Sequence, residues 1–139
     1  MITYLDTSAL VKTIVAEPGT DEAMDLWNAS DVRLTSLISY AEARAALAAA
    51  SRDRRLLGRA RADARAALDD RWQELSDAAV SDQVVHLAGD LADRVGLRGY
   101  DAVHLATAVL AGPADVVFAT WDSALSDAAA DAGLVTAGG

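Results

Sequence analysis

The sequence predicts a single α/β domain, residues 1–139, with a twisted parallel β-sheet flanked by helices. Short apolar runs rich in β-branched residues alternate with stretches whose apolar residues recur at helical spacing, which is typical of β–α–β units. A length of 139 residues is enough for one hydrophobic core. No internal repeat or linker divides the chain, and the one compositional bias is toward alanine.

The composition limits the classes of protein to which the chain can belong. Hydrophobic residues make up 53% of the sequence and charged residues 24%, as in globular proteins. There is no cysteine, which excludes disulfides and thiolate metal sites and is typical of a reducing compartment. No apolar run reaches the roughly 18 residues of a membrane span, and the N-terminus lacks the pattern of a signal peptide. These features predict a cytoplasmic protein that is not associated with a membrane.

The charge of the chain is unevenly distributed. The formal net charge is −9, which argues against a general nucleic-acid binder because phosphates are bound by basic groups. Eight of the 12 basic residues nevertheless lie between Arg44 and Arg71, together with only four acidic residues. We expect this basic segment to be either a solvated helix surface or a guide for an RNA backbone. The arginines assigned to RNA guidance are Arg52, Arg54, Arg55, Arg59 and Arg61.

The first half of the chain predicts two strands and the helices that follow them. Ile2–Leu5 is a short apolar, β-branched and aromatic run, as expected for an inner strand. A helix over Thr7–Ala16 ends before a Pro-Gly pair, and a second helix begins at Thr20 and is broken by Asp31. The remaining elements are the strand Val32–Thr35, an alanine-rich helix from Ser36 or Ser39 to about Ala50, and one or two basic helices between Ser51 and Leu75.

The second half continues the same alternation. A short strand is expected at Ala78–Val80, followed by an amphipathic helix that Ser81 and Asp82 cap. Two glycines then interrupt the helical pattern. The later elements are a helix from Asp101 to about Leu110, the strand Val116–Ala119, a helix from Asp122 to about Ala132 and a last strand at Leu134–Thr136.

Four acidic residues are predicted to meet at one edge of the sheet. Asp6 and Asp122 each follow a predicted strand, and Glu42 lies near the start of the helix after the second strand. Asp101 opens the helix that leads into a parallel strand, and such a helix must begin near the carboxyl ends of the strands. In open α/β sheets this edge is where ligands bind.

Each of these acids has an alternative interpretation as a helix cap. Asp accepts hydrogen bonds from the free amides of a first helical turn, and Ser39 with Glu42 has the spacing of a capping box. Capping does not explain why apolar residues surround the acids, because buried carboxylates need a counter-charge or take up protons. A hard divalent cation such as Mg²⁺ or Mn²⁺, which prefers oxygen ligands, fits this group of carboxylates.

Four short motifs carry a resemblance to a known family. Tyr4–Lys12 resembles the opening of PIN-domain nucleases, in particular the VapC-like toxins of toxin–antitoxin pairs. Ser39–Arg44 is similar to the second acidic motif of that family, Gly99–Ala108 to the third and Ala119–Asp122 to the fourth. The motifs occur in the family's order across nearly the whole chain, and no acidic position departs from the pattern.

The resemblance implies a metal-dependent endoribonuclease. It places four catalytic and metal-binding residues around Mg²⁺ or Mn²⁺, namely Asp6, Glu42, Asp101 and Asp122. Asp6 and Asp101 are expected to bind the metal, whereas the other two complete the site directly or through water. Thr120 is expected to orient Asp122, and His104 to lie behind the ligands. The resemblance also implies RNA as the substrate, inhibition by a cognate antitoxin, and a homodimer.

Other acid-rich or histidine-based sites remain as alternatives. Phospho-receivers and aspartyl-phosphate phosphatases also place Asp at strand ends with Mg²⁺, but both need a late lysine, and the only lysine is Lys12. The phosphatases also need a second Asp, where this chain has Ser8. A metal-free ribonuclease would use His86 and His104 as its acid–base pair. Two further alternatives share the PIN fold: a nuclease of housekeeping RNA processing, and a catalytically silent module that binds a partner.

Overall fold

Strand β1 (Ile2–Leu5) lies at the centre of a five-stranded parallel sheet, with a neighbour on each side. The computed structural model describes all of residues 1–139. The other strands are β2 (Val32–Ser36), β3 (Ser76–Ala78), β4 (Val116–Ala119) and β5 (Val135–Ala137), and their spatial order is β3-β2-β1-β4-β5. Ile2 pairs with Val32 on one side and with Val116 on the other. The predicted parallel α/β sheet is confirmed.

Seven helices connect the strands and cover both faces of the sheet. They are α1 (Thr7–Lys12), α2 (Thr20–Ala29), α3 (Ser39–Arg52), α4 (Gly58–Gln73), α5 (Asp82–Val95), α6 (Gly99–Ala111) and α7 (Ser123–Asp131). None of them combines the length and the apolar composition that a membrane-spanning helix requires.

The alternation of side chains along the strands divides the core between the two faces of the sheet. Tyr4 and Phe118 belong to a core formed with α5, α6 and α7. Leu5 and Ala119, the next residue in each strand, belong to the core formed with α1, α2, α3 and α4. The rings of Tyr4 and Phe118 are stacked, with centroids 5.2 Å apart and an interplanar angle of 4°. The sheet is therefore the middle layer of three.

The strand order creates a crevice between β1 and β4. From β1 the chain moves outward through β2 to β3, and it then crosses to the other side of β1 to form β4 and β5. At such a reversal of strand order, a ligand crevice forms at the carboxyl ends of the two central strands. Asp6 and Thr120, the residues directly after β1 and β4, both lie at this point.

The helices of the first half differ from the predicted ones in their boundaries. Helix α1 ends at Lys12 rather than at Ala16, because the Thr13 hydroxyl donates to the carbonyl three residues earlier and the backbone turns there. The apolar residues after this turn still pack against the core, which explains their helical spacing in the sequence. The basic segment is divided, since α3 ends at Arg52 and α4 begins at Gly58.

The two outer strands and α6 also depart from the predicted positions. Strand β3 lies at Ser76–Ala78 instead of Ala78–Val80, because pairing with β2 sets its register. Strand β5 is displaced by one residue, to Val135–Ala137. Helix α6 begins at Gly99 rather than at Asp101, so that this aspartate lies within the first turn instead of before it.

Candidate active site

Asp6 is held in the crevice by three hydrogen bonds. It is only 4% exposed. Its Oδ1 accepts from Ser8 Oγ at 2.6 Å and from the Ala9 amide at 2.9 Å, and its Oδ2 accepts from Thr120 Oγ1 at 2.5 Å. Burial raises the pKa of the Asp6 carboxyl, and the three hydrogen bonds offset part of the rise because they favour the ionised form. Asp6 therefore caps α1 and is also bound to the end of the neighbouring strand.

Thr120 and Ser8 join the ends of the two central strands. Besides donating to the buried carboxylate, Thr120 Oγ1 accepts from the Asp122 amide at 3.1 Å, and Ser8 Oγ accepts from the Trp121 amide at 3.0 Å. Asp122 is exposed, and its Oδ1 accepts from the Leu125 amide at 2.9 Å, which caps α7. Thr120 thus contacts both of the aspartates that follow the central strands.

Glu42 is bound to His104 and Thr7. Its Oε1 accepts from His104 Nε2 at 2.6 Å and from Thr7 Oγ1 at 2.8 Å. Partial burial alone would raise the pKa of Glu42, but these two bonds outweigh it, and the pKa lies below its usual value. The predicted capping box is wrong: Ser39 is the first residue of α3 rather than its cap, and its hydroxyl is hydrogen-bonded to Thr35 at 2.6 Å.

Tyr4 holds His104 from behind. The Tyr4 hydroxyl lies 2.7 Å from His104 Nδ1, and both residues are almost completely buried. Burial, and to a lesser extent the charge of Asp6, raises the pKa of Tyr4 well above its usual value, so the phenol stays protonated. The ionised Glu42 carboxylate can only accept, so His104 Nε2 donates to it, and the Tyr4 hydroxyl is the hydrogen-bond partner of Nδ1. A buried relay from Tyr4 through His104 therefore orients the Glu42 carboxylate.

Asp101 joins the group through charge rather than through hydrogen bonds. It lies half-buried in the first turn of α6. Partial burial raises the pKa of Asp101, the negative charges of Asp122 and Asp6 raise it further, and the positive influence of His104 and Arg98 opposes the rise. Asp101 is therefore near enough to Asp122 and Asp6 for their negative charges to act on it.

The oxygen donors of the crevice fit a hydrated divalent cation. None of the three aspartates forms an ion pair with a lysine or arginine. No group of three or more histidine, aspartate or glutamate side chains is close enough together to hold a metal ion directly. Mg²⁺ usually binds proteins through one or two carboxylates and keeps several water ligands. The donor set therefore suits an ion held by two carboxylates, with the remaining acids acting through water.

The two histidines do not form a pair. His104 is buried with both ring nitrogens engaged, whereas His86 is exposed on α5 and bonds to the Asp82 carbonyl of its own helix at 2.7 Å. A metal-free acid–base mechanism that uses both rings has no support in this geometry.

The five arginines assigned to RNA guidance are all exposed. They lie at the end of α3, in the turn that follows it and in the first turns of α4. Arg55 lies 3.4 Å from Asp53, and Arg59 lies 3.7 Å from Asp63, both in solvated ion pairs of little energetic weight. The arginine side chains are therefore accessible to a ligand.

Three residues of the site were not identified from the sequence. Thr7 and Ser8 follow Asp6 directly, and their hydroxyls bind Glu42 and Asp6, respectively. The sequence predicts Tyr4 as a strand residue at the start of the opening motif, and a tyrosine in an inner strand must find a partner for its hydroxyl. The need for such a partner is the sequence feature that could indicate the contact of Tyr4 with His104, and through it the relay to Glu42.

Comparison with known proteins establishes the family. The PIN domain model matches residues 3–131. Ribonuclease VapC45 from Mycobacterium tuberculosis (strain CDC 1551 / Oshkosh) is 41% identical over 132 residues, which cover 95% of this chain and 92% of the relative. The solved structure of VapBC2 from Rickettsia felis, bound to a promoter DNA fragment, has a TM-score of 0.66 at 16% identity and covers 99% of this chain and 98% of that one. A toxin–antitoxin complex from Klebsiella pneumoniae has a TM-score of 0.60 at 20% identity, covering 87% of each chain. The predicted resemblance is confirmed, and the chain belongs to the PIN-domain family as a VapC-like member.

Proposed function

We propose that this chain is a toxin-type endoribonuclease, which hydrolyses RNA phosphodiester bonds with Mg²⁺ or Mn²⁺ and is inhibited by a cognate antitoxin. The observation that carries the proposal is the position of Asp6, Asp101 and Asp122 at the crevice between β1 and β4. Thr120 binds both Asp6 and Asp122, and the charges of these two aspartates act on Asp101. Carboxylates with raised pKa values are concentrated at functional sites, and a module that only binds a partner has no need of them. The 41% identical relative is named a ribonuclease, which supports RNA as the substrate.

Asp6 and Asp101 are the residues proposed to bind the metal ion, and Glu42 and Asp122 complete the site through water. Asp6 Oδ2 accepts one hydrogen bond, and a carboxylate oxygen has about two lone pairs, so one remains for a metal. Asp101 makes no side-chain hydrogen bond that would compete with a metal ion for its carboxylate oxygens. When bound, the ion supplies charge neutralisation at the phosphate and eases the deprotonation of water.

Glu42 is proposed to accept the proton of the attacking water. His104 and Thr7 both bond to Oε1, which leaves Oε2 available for a water, and the lowered pKa of Glu42 keeps the carboxylate ionised. The water oxygen attacks phosphorus, its proton moves to Oε2, and the bond from phosphorus to the 3′-oxygen breaks. The 3′-oxygen takes up a proton from solvent. The expected products are a 5′-phosphate and a 3′-hydroxyl, because water rather than the 2′-hydroxyl attacks.

The proposed partners are the RNA, a cognate antitoxin and a second copy of the chain. The exposed arginines at positions 52, 54, 55, 59 and 61 are proposed to guide the RNA backbone through contacts with phosphates. The antitoxin is supported by the shared fold with structures named as VapBC2 and as a toxin–antitoxin complex. The homodimer is proposed from the family resemblance alone.

The purified chain tests the proposal when it is incubated with total RNA and the cleavage ends are mapped. We expect cleavage with Mn²⁺, 5′-phosphate ends, and loss of activity in EDTA. Asp6→Asn and Asp101→Asn should lower the rate by several orders of magnitude, while Asp93→Asn, an exposed aspartate of α5, should not. Activity that persists in excess EDTA and leaves 2′,3′-cyclic phosphates would refute the metal-dependent mechanism. If the chain is folded but cleaves no RNA, it is a catalytically silent module that binds a partner, and the proposed ribonuclease activity is wrong.

A further inference from the structure

Tyr100 is an aromatic side chain left in solvent beside the acids. It is 68% exposed, more than any other large hydrophobic side chain of the protein. It is the second residue of α6 and immediately precedes Asp101. An aromatic ring in this position gains little from the hydrophobic core, and its face is free to contact a ligand.

Tyr100 borders an open cavity of about 430 Å³ between α5 and α6. The other lining residues are Val85, Ala88, Gly89, Ala92, Arg98, Gly99 and Val103. Most of these side chains are small or absent, and nothing lies within 4 Å of the positions that β-carbons of Gly89 and Gly99 would occupy. The result is an apolar slot with one aromatic wall and one cationic residue, Arg98.

The slot adjoins the acidic crevice. On helix α6, Tyr100 and Val103 share the face that borders the slot, and Asp101 and His104 lie on the adjacent face, which borders the crevice. Arg98 connects the two places: it lines the slot, and its positive charge acts on Asp101. An RNA strand bound at the acids would therefore place the nucleotide next to the cleaved phosphate within reach of Tyr100.

We propose that this slot is a nucleobase subsite, in which a base of the RNA next to the cleaved phosphate stacks on Tyr100. Arg98 binds the phosphate of the same nucleotide. This inference rests on the proposed ribonuclease function. An aromatic ring and an apolar floor suit the faces of a base, and stacking on exposed aromatic side chains is a general mode of single-stranded RNA binding. Continuity with the acids favours a base of the substrate over a protein helix as the occupant.

The test uses a single-stranded oligonucleotide that spans a cleavage site mapped in total RNA. Binding is measured by fluorescence anisotropy in an Asp6→Asn background, which prevents cleavage. Tyr100→Ala should weaken binding by about 5- to 150-fold, the usual effect of losing one stacked base, and Tyr100→Phe should retain most of the affinity. Leu110→Ala is the matched control, because Leu110 is an exposed apolar residue near the other end of α6.

Oligonucleotides with a single abasic position identify the stacked base. With Tyr100 present, one abasic position next to the cleavage site should cost as much affinity as Tyr100→Ala. In the Tyr100→Ala protein the same abasic change should cost almost nothing, because the two changes remove the same interaction. Arg98→Ala should instead flatten the salt dependence of binding, by about 0.7 in log–log slope for a single-strand phosphate contact.

The outcomes separate this inference from the proposed function. If the wild-type chain cleaves RNA but no abasic position depends on Tyr100, the subsite is refuted and the nuclease is retained. If Tyr100→Ala changes the oligomeric state while leaving RNA affinity unchanged, the slot is a contact between copies of the chain, which also refutes it. If the wild-type chain neither binds nor cleaves RNA, both proposals are wrong.

Discussion

Thr120 Oγ1 lies 2.5 Å from Asp6 Oδ2, although 114 positions separate the two residues in the chain. The same hydroxyl accepts from the Asp122 amide. A single side chain at the end of β4 therefore fixes the buried carboxylate after β1 and the start of the segment that carries Asp122. The geometry of the crevice depends on this contact as much as on the acids themselves.

Thr120→Val should loosen the crevice while keeping the shape of the side chain. Asp6 Oδ2 loses its donor, and the Asp122 amide loses an acceptor. We expect the free energy of unfolding to fall by about 1–3 kcal/mol, the usual cost of leaving a buried polar group without a partner, and the rate of RNA cleavage to fall as well. Thr120→Ser keeps the hydroxyl and should retain most of the unfolding free energy and most of the cleavage rate. Urea denaturation and cleavage assays check this, and equal behaviour of the two variants would contradict it.

Tyr4→Phe should remove the hydroxyl that orients His104. The phenyl ring can still stack on Phe118, but the buried Nδ1 loses its partner, so we expect a loss of about 1–3 kcal/mol in unfolding free energy. Tyr40→Phe is the matched control, since the Tyr40 hydroxyl bonds to Asp69 in a partly exposed position where water can replace it. Its loss should be smaller, about 0.5–1.5 kcal/mol. Urea melts that rank the two losses in the opposite order would show that the relay is unimportant for stability.

The stability of the metal-free protein should depend on pH through Asp101. Its pKa in the folded protein is raised from 3.8, so the folded state binds this proton more tightly than the unfolded state does. The contribution is therefore fully present below pH 3.8 and is lost as the pH rises through the raised pKa. Asparagine does not titrate, so the Asp101→Asn protein does not lose this stability as the pH rises. In EDTA, its stability relative to wild type should increase from acidic to neutral pH, by less than about 1 kcal/mol because solvent screens a half-exposed group.

Urea melts across this pH range measure the effect, with Asp93→Asn as the control. Asp93 is exposed on α5 and provides the same Asp→Asn change outside the crevice. If the difference for Asp101→Asn varies with pH no more than that for Asp93→Asn, neither burial nor the charges of Asp122 and Asp6 raise the pKa of Asp101.

The exposed arginines should determine how RNA binding depends on salt. Replacing Arg54, Arg55 and Arg59 by Ala should weaken binding across sequences and reduce the slope of log affinity against log salt by up to about 2, at roughly 0.7 per phosphate contact of a single strand. Arg94→Ala changes an exposed arginine outside the basic segment and should leave the slope unchanged. If the triple variant also keeps the wild-type slope, the basic segment is a solvated surface.

The parallel sheet could be predicted because alternation and strand chemistry are local properties of the sequence. The central strands Ile2–Leu5 and Val116–Ala119 have the predicted bounds, since buried strands consist of consecutive apolar residues. Strand β3 was misplaced because its residues Ser76–Ala78 have no such pattern. They form a strand only because the free edge of β2 pairs with them, which is a long-range effect.

The edge of the sheet at which Asp6 and Thr120 lie could be predicted from the topology, whereas the hydrogen bonds of the acids could not. Once the strands are parallel, the ends of β1 and β4 must lie at the same edge. The bonds of His104 span 62 positions to Glu42 and 100 positions to Tyr4, and they depend on how α6 packs against β1. The capping box failed for a similar reason, because the Thr35 hydroxyl competes for Ser39.

Thermal melts with EDTA and with Mn²⁺ test most directly whether the acids form one metal site. An ion that binds only the folded state stabilises it, by about 2.7 kcal/mol at one hundred times its dissociation constant. Mn²⁺ should therefore raise the Tm of the wild type and of Asp93→Asn. We predict that Asp6→Asn, Asp101→Asn and Asp122→Asn lose most of this shift. If all three variants keep the full wild-type shift, the acids do not share a metal, and the central claim is wrong.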